Sequence, residues 1–542
     1  MKSTDIRRLR KEFRETKAPA ERKHWRAQPA SLVVNSAEDP TTMFNTAGMQ
    51  PLVPYLMGKA HPAWKRVYNI QWCVRTVDID EVGDRRHLTF FEMMGNRSLG
   101  DYFKKEAIAR SREFLTEWLQ LDPRKIAVTV FEGDADAPKD EESADFRRKQ
   151  GVPNHKIAYL GKKDNRWWPA GKTWPCGPDT EIFYRIGDSE FPPEWSNVGS
   201  DEDNRLEIRN NVFMAYYKDE SGTFSELAAK NVDTGMGFER ISMVTQCASG
   251  EIVVPIKEAS VYETDIFSWI LSVIQTYVSE VHRSRIIADH ARTAFWLLHE
   301  GLIPSNEARW YVLRRLIRRM YFQRYMGSQG KTDETMMQEF ESVLYHIKEE
   351  LNRIYDGIFG NTIISLLLQE VQQFAKTIRH GQKILEEKIK QADASQKILA
   401  WDQAFQLYDT YGFPVELTRE IAAEYGRKID EQWFEHALEK AKEQSRQGTK
   451  AMFAKTVDRA AHIEGLQPTV FVWYASLEEE TVHLLRDVEV EWQRVLMVDR
   501  TPFYPEGGGQ KGDRWVITLD SGEQVQVVDV QKYGGVVLHF VK

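Results

Sequence analysis

The sequence predicts an α+β protein in three successive parts: a mixed α/β part, an all-helical part and a small β part. Three observations predict it. From residue 1 to 255, short β-rich runs such as RKIAVTVFEG and EIFYRIG alternate with helix-like segments across Pro/Gly-rich loops. From 256 to 460 the apolar spacing is helical almost throughout, as in VYETDIFSWILSVIQTYVSEV, RWYVLRRLIRRMYF and VLYHIKEELNRIYDGIF. From 461 to 542, alternating segments (VEVEWQRVLMV, EQVQVVDV, GGVVLHFV) read as strands.

Composition supports real cores: 42% of the 542 residues are hydrophobic and 28% charged. Three scattered cysteines, Cys73, Cys176 and Cys247, make neither a disulfide framework nor a paired zinc motif, which fits a cytoplasmic protein. The N-terminal MKSTDIRRLRKEF lacks a signal-peptide core, and no apolar run reaches the ~18 residues of a membrane span. The net charge of -8 excludes a uniformly basic nucleic-acid binder, so any positive surface must be local.

Within the first part, Phe103 to Leu119 has helical spacing, and the NIQWCVRT and HLTFFEM segments suggest an antiparallel strand pair. That pair presents Arg75, His87, Phe90 or Phe91, and Glu92 around one space. An arginine for phosphate beside an aromatic for a base suits a nucleotide. An ordinary hairpin with core phenylalanines explains the same residues. NVDTGMGFER, residues 231–240, places Asp233 for an ammonium, Gly235 and Gly237 for close approach, and Arg240 for phosphate. A plain strand–turn–helix junction would use the glycines equally well. In the helical part, Arg314, Arg315, Arg318 and Arg319 form a positive stripe opposite Leu313, Leu316, Ile317 and Met320. Phosphate backbone is one partner for it, and nearby carboxylates are the other.

Taken together, the motifs resemble the alanyl-tRNA synthetase family of class II aminoacyl-tRNA synthetases. MFNTAGMQPLVPYLMG and QWCVRTVDIDEVGDRRHLTFFEMMGN resemble its first two motifs, and PCGPDTEIFY, NNVFMAYY and NVDTGMGFER its alanine and ATP pocket. IADHARTA, IPSNEARWYVLRRLIRR and LYDTYGFPVELT resemble its tRNA-recognition half, and TPFYPEGGGQKGD the start of its editing domain. The resemblance implies a class II antiparallel sheet flanked by helices, a helical tRNA-recognition domain, and a partial editing-like β domain. It implies ATP-dependent activation of alanine and transfer to tRNA(Ala), with Mg²⁺. Asp233 would anchor the amino group, with Gly235 against the methyl and Met49, Trp167 and Val212 nearby. Arg75 would bridge carboxylate and α-phosphate, Phe90 or Phe91 would stack on adenine, and His87, Glu92 and Arg240 would complete the ATP site. Asn306 and Asp409 would read the acceptor-stem G:U pair, although each would serve equally as a local cap.

The chain departs from the family in two ways. No two histidines stand four apart, so the HxxxH metal pair of the editing site is missing, and no zinc and no deacylation are expected. A monomer is expected, with a separate editing polypeptide as the alternative arrangement. In addition, Trp64, Trp174, Trp310, Trp401, Trp433, Trp473 and Trp515 stand where the family has glycine, and Trp72 is a further candidate. The hypothesis is a gene whose UGA codons mean glycine, translated with UGA as tryptophan; UGG codons at these positions would rule it out. Arg97 and Arg209 stand where the family usually has tryptophan, which raises a second reassigned codon. A tRNA-binding paralogue without activity, and another class II-like ligase for a small amino acid, are the competing readings.

Overall fold

In a computed structural model of the chain, the described residues are 1–34, 42–162, 167–169, 174–187, 196–201, 204–305, 308–327, 333–391, 398–399, 415–424, 426, 428–429, 463, 466–467, 469–471, 482–490, 493–503, 516–519, 521–533 and 536–542. The chain packs as two compact units, Met1–Val371 and Gln372–Lys542. The mixed part and the first helices therefore share one unit.

The first unit is built on one sheet. Its strands are β1 (Trp25–Arg26), β2 (Arg66–Val74), β3 (Phe90–Leu99), β4 (Ile126–Phe131), β5 (Ile157–Leu160), β6 (Trp167–Pro169), β7 (Trp174–Arg185), β8 (Arg205–Lys218) and β9 (Phe224–Gly235). Their order is β1-β2-β3-β9-β8-β7-β4-β5, with β6 also on β7. The central pairs are antiparallel; β1–β2 and β4–β5 are parallel. This is the antiparallel sheet flanked by helices that the resemblance implies. The flanking helices are α1 (Ser3–Lys11), α2 (Val53–Leu56), α3 (Lys104–Glu113), α4 (Glu141–Lys149), α5 (Phe238–Ala248), α6 (Ser268–Ile274), α7 (Val281–His299), α8 (Ala308–Met326) and α9 (Asp333–Ile354). α10 (Asn361–Gln391) runs across the division between the units.

Side-chain alternation decides what each face of β2–β3 does. Trp72, Phe90 and Glu92 point to the face covered by α7. There Trp296, fully buried, lies 4.1 Å from Trp72 and 5.3 Å from Phe90, ring centre to ring centre. Burying such rings stabilises the contact by roughly 1.5–3 kcal/mol each, so α7 is held firmly to the sheet. The segment VYETDIFSWILSVIQTYVSEV is less helical than its spacing predicts. Ser260 and Glu263 cap a short 3-10 turn, and only Ser268–Ile274 becomes α-helix. Its β-branched and aromatic residues satisfy the apolar period while favouring helix weakly.

In the second unit, α11 covers Val415–Glu424, and β10 (Ile398–Leu399) pairs with β11 (Lys428–Ile429). β12 (Val470–Phe471) pairs with β15 (Arg500–Thr501). A five-stranded antiparallel sheet follows, ordered β13 (Leu484–Val490), β14 (Gln493–Val498), β18 (Val536–Val541), β17 (Gln524–Tyr533) and β16 (Val516–Thr518). β14 and β18 are buried on both faces: Val495, Met497, Leu538 and Phe540 join one apolar cluster, and Leu496, Val537 and Val541 the other. His539 belongs to this core. Its ring nitrogens meet the Leu496 carbonyl at 3.1 Å and Thr501 Oγ1 at 2.7 Å. Burial holds its pKa down to about 4, so the ring is neutral near pH 7.

Candidate active site

The β2–β3 register sorts the expected nucleotide residues. Cys73 opposes Phe91 and Val74 opposes Phe90, so Phe91 shares a face with Arg75 while Phe90 does not. The Arg75 guanidinium lies 5.0 Å from the Phe91 ring centre, and its Nε donates to the Thr46 carbonyl at 3.1 Å. Phe90 is fully buried and stacked on Trp296 at an interplanar angle of 14°, which corrects its candidacy as the adenine platform. Glu92 is corrected for the same reason. It is 1% exposed on the Phe90 face, where Arg7 and Arg292 donate to it at 2.6 and 3.2 Å and the Tyr355 hydroxyl at 2.8 Å. His87 sits at a loop surface between Asp84 (2.7 Å) and Glu81 (3.2 Å).

The stretch 231–240 ends β9 and begins α5. Asp233 opposes Val212, and Gly235 opposes Asn210. The Gly235 amide donates to Asn210 Oδ1 at 2.6 Å. A Cβ added at Gly235 would lie 2.8 Å from that oxygen and 3.1 Å from Met93 Sδ, so the strand end has no room for a side chain. Gly237 bridges to Met93, and the Met94 amide donates to the Met236 carbonyl at 2.9 Å, which ties this turn to β3. Arg240, one turn on, is 37% exposed and donates to the Glu207 carbonyl at 2.9 Å. Met49 and Val212 are brought together in one apolar cluster with Ala47, Leu56, Leu99 and Met214. Trp167 lies on β6 opposite Pro178, and its side chain is outside the described residues.

One residue that the motif reading passed over is Arg86. Burial, and then the neighbouring Arg240, hold its pKa below the ordinary guanidinium value. Two cations from distant segments thus approach one another at a half-open surface, as an anion site requires. The available signal was the basic run in GDRRH, of which only the histidine was singled out.

Asp233 has a resident counter-ion. Arg97, on β3 and fully buried, donates from Nε to Asp233 Oδ1 at 2.7 Å and from Nη1 to Asn69 Oδ1. Burial pushes the Asp233 carboxyl above its ordinary value, and Arg97 offsets part of that rise. Arg209 lies on the opposite face of the sheet, where it donates to Asn96 Oδ1 at 2.7 Å, Thr234 Oγ1 at 3.0 Å and Ser111 Oγ at 3.0 Å. Burial pulls Arg209 down to about 10 and Arg14 down to about 9, with Arg97 and Arg209 among the mutually repelling cations. A neutral aromatic at 97 or 209 would relieve this repulsion.

The arginines of α8 are held inside the first unit. Arg314 and Arg318 reach Glu370 at 3.2 and 2.8 Å, and Arg315 reaches Asp80 at 2.9 Å. Arg319 is 4% exposed and donates to the Ile79 carbonyl. Of the two partners the sequence offered, these arginines meet carboxylates, and because α8 itself has none they come from distant segments. Trp310 is 40% exposed near the start of α8, which continues through it, and Trp64 is 41% exposed. Asn306, Asp409, Trp401, Trp433, Trp473 and Trp515 lie outside the described residues, as does the Trp174 side chain.

The family model for tRNA synthetases class II (A) matches residues 13–542. The chain belongs to this family. It is 38% identical to an alanine–tRNA ligase of Rubrobacter xylanophilus, over 98% of this chain and 59% of that protein. It is 43% identical to the alanine–tRNA ligase of Treponema denticola, over 77% of this chain and 69% of that protein. A third relative, the alanine–tRNA ligase of Thermotoga maritima, is 37% identical over 96% of this chain and 60% of its own length. The chain thus spans about three fifths of the relatives that match it nearly end to end. Arg75, Phe91, Met93, Asp233 and Gly235 share one side of the antiparallel sheet. No helix among the described residues is long and apolar enough to cross a membrane.

Proposed function

We propose that this chain activates alanine with ATP to alanyl-adenylate and transfers the alanyl group to the 3' end of tRNA(Ala). The observation that carries the reading is the placement of Arg75, Phe91, Asp233 and Gly235 on one sheet face, in a chain 36–43% identical to alanine–tRNA ligases. The alanine carboxylate attacks the α-phosphate, so the chain need supply no nucleophile. Arg75 orients the carboxylate against the α-phosphate and stabilises the charge that develops there. Phe91 supports the adenine, while Arg86 and Arg240 hold the outer phosphates. Asp233 receives the α-ammonium, and Gly235, with no side chain of its own, lets the substrate methyl lie against the backbone beside Asn210 and Met93. Among the described residues no three His, Cys, Asp or Glu side chains converge. Mg²⁺ would enter on the ATP phosphates, with Glu207, ion-paired to Arg240 at 3.2 Å, as a candidate carboxylate. Asn306 and Asp409 are proposed to read the acceptor stem, and the protein to work in the cytoplasm.

Alanine-dependent ATP–pyrophosphate exchange tests the reading, with glycine and serine as competitors. Exchange driven best by alanine supports it; exchange by no amino acid overturns it in favour of a tRNA-binding paralogue. Gly235→Ala is expected to lower kcat/KM for alanine by roughly 10–100-fold, because a misplaced reacting group costs about that much. The added Cβ must also displace Asn210 and Met93, so the unfolding midpoint should fall as well; an unchanged kcat/KM would remove Gly235 from the pocket.

A further inference from the structure

The groups around Asp233 point to a determinant of affinity in the amino-acid pocket. Gly48 and Gly95 carry no side chains, and an added Cβ on either would meet the Arg97 guanidinium before anything else. Met93 lies beside Gly48 on the same side. The guanidinium fills that hollow and makes its ion pair through Nε alone, leaving Nη2 buried with no hydrogen-bond partner. The Asp233 carboxylate therefore already accepts from Arg97 and from the Thr234 amide. An α-ammonium arriving at the same carboxylate would stand beside the Arg97 guanidinium, and two like charges in a buried pocket repel strongly.

We propose that Arg97 is the resident counter-ion of Asp233 and sets the pocket's affinity for its amino acid, because the incoming α-ammonium reaches Asp233 only as Arg97 gives up the pair. The proposal rests on the alanine-activation reading. Arg97 acts on specificity as well as affinity: it weakens the one contact common to all amino acids, so selectivity leans on the apolar wall of Met49 and Val212. The binding-competent fraction is the fraction in which Arg97 has swung away, and apparent affinity falls in proportion.

The test uses the full chain, Arg97→Trp and Arg97→Met. Alanine binding is measured by titration calorimetry, and KM for alanine and for ATP by pyrophosphate exchange. Both variants are expected to bind alanine roughly tenfold tighter or better, with KM for ATP unchanged. Asp233→Asn, added to Arg97→Trp, is expected to abolish the gain. A merely structural role would move kcat and both KM values together. Equal or weaker alanine binding in both variants, with exchange still driven by alanine, overturns the role of Arg97 and leaves the ligase reading standing. No alanine binding and no exchange in any of the chains overturns both. The two replacements differ in shape, and ATP binding reports that each is folded.

Discussion

Arg75→Ala is expected to lower alanine-dependent pyrophosphate exchange by about 10²–10³-fold, the usual cost of removing one preorganised donor from a developing oxyanion. The loss should fall on kcat. Arg75 is pre-set by the Thr46 carbonyl and by the Phe91 ring, so its fork is aimed before substrate arrives. Arg75→Lys should recover only a small part, because an ammonium does not reproduce the bidentate geometry of a guanidinium. The measurement is steady-state exchange with each variant at saturating ATP and alanine. An Arg75→Ala chain with near-normal kcat would remove the α-phosphate from this part of the sheet.

Arg292→Met is expected to destabilise the first unit by roughly 3–5 kcal/mol, the range for breaking a buried ion pair on one side. Arg292 on α7 is 1% exposed and reaches Glu239 of α5 at 2.6 Å and Glu92 of β3 at 3.2 Å. It also donates to the Tyr355 hydroxyl at 2.6 Å. Removing it leaves two buried carboxylates with Arg7 as their remaining cation at Glu92. The defect should depend on pH. Burial raises the Glu239 carboxyl above its ordinary value of 4.5, Arg292 opposes that rise, and Glu92 adds to it. A carboxyl raised on folding favours the folded state below its unfolded value, and this contribution is lost as pH rises through the folded value. Without Arg292 the folded value climbs further. The variant should therefore approach the parent near pH 4.5 and fall progressively below it toward pH 8. Unfolding midpoints across that interval check the prediction, and a pH-independent difference would contradict it.

Much of the site was legible because local sequence carries it. The run NVDTGMGFER declares its chemistry in ten consecutive residues, and Arg75 stands at the end of a readable strand. Phe90, Phe91 and Glu92 were not separable in the same way. Neighbours in a strand face opposite sides, and a shift of one residue in register exchanges them. Only the pairing of Cys73 with Phe91, and the position of Trp296 behind Phe90, settles which ring is available. The α8 arginines kept two readings for a related reason. Their partners Asp80 and Glu370 lie far away along the chain, and no local pattern reports them.

The sequence alone determined the order of the parts, the antiparallel strand pair, the family and the residue types of the pocket. The first two follow from periodicity and the last two from the resemblance of short motifs, and both are properties of neighbours along the chain. Tertiary structure alone decided which face each side chain serves and which charges are already paired. Asp233 shows the difference. The motif offers it as the proposed ammonium anchor, while its meeting with Arg97, from a strand 136 residues away, puts a cation there first. Pairing of that kind depends on distance in space and on exclusion of water, neither of which is written in the spacing of residues.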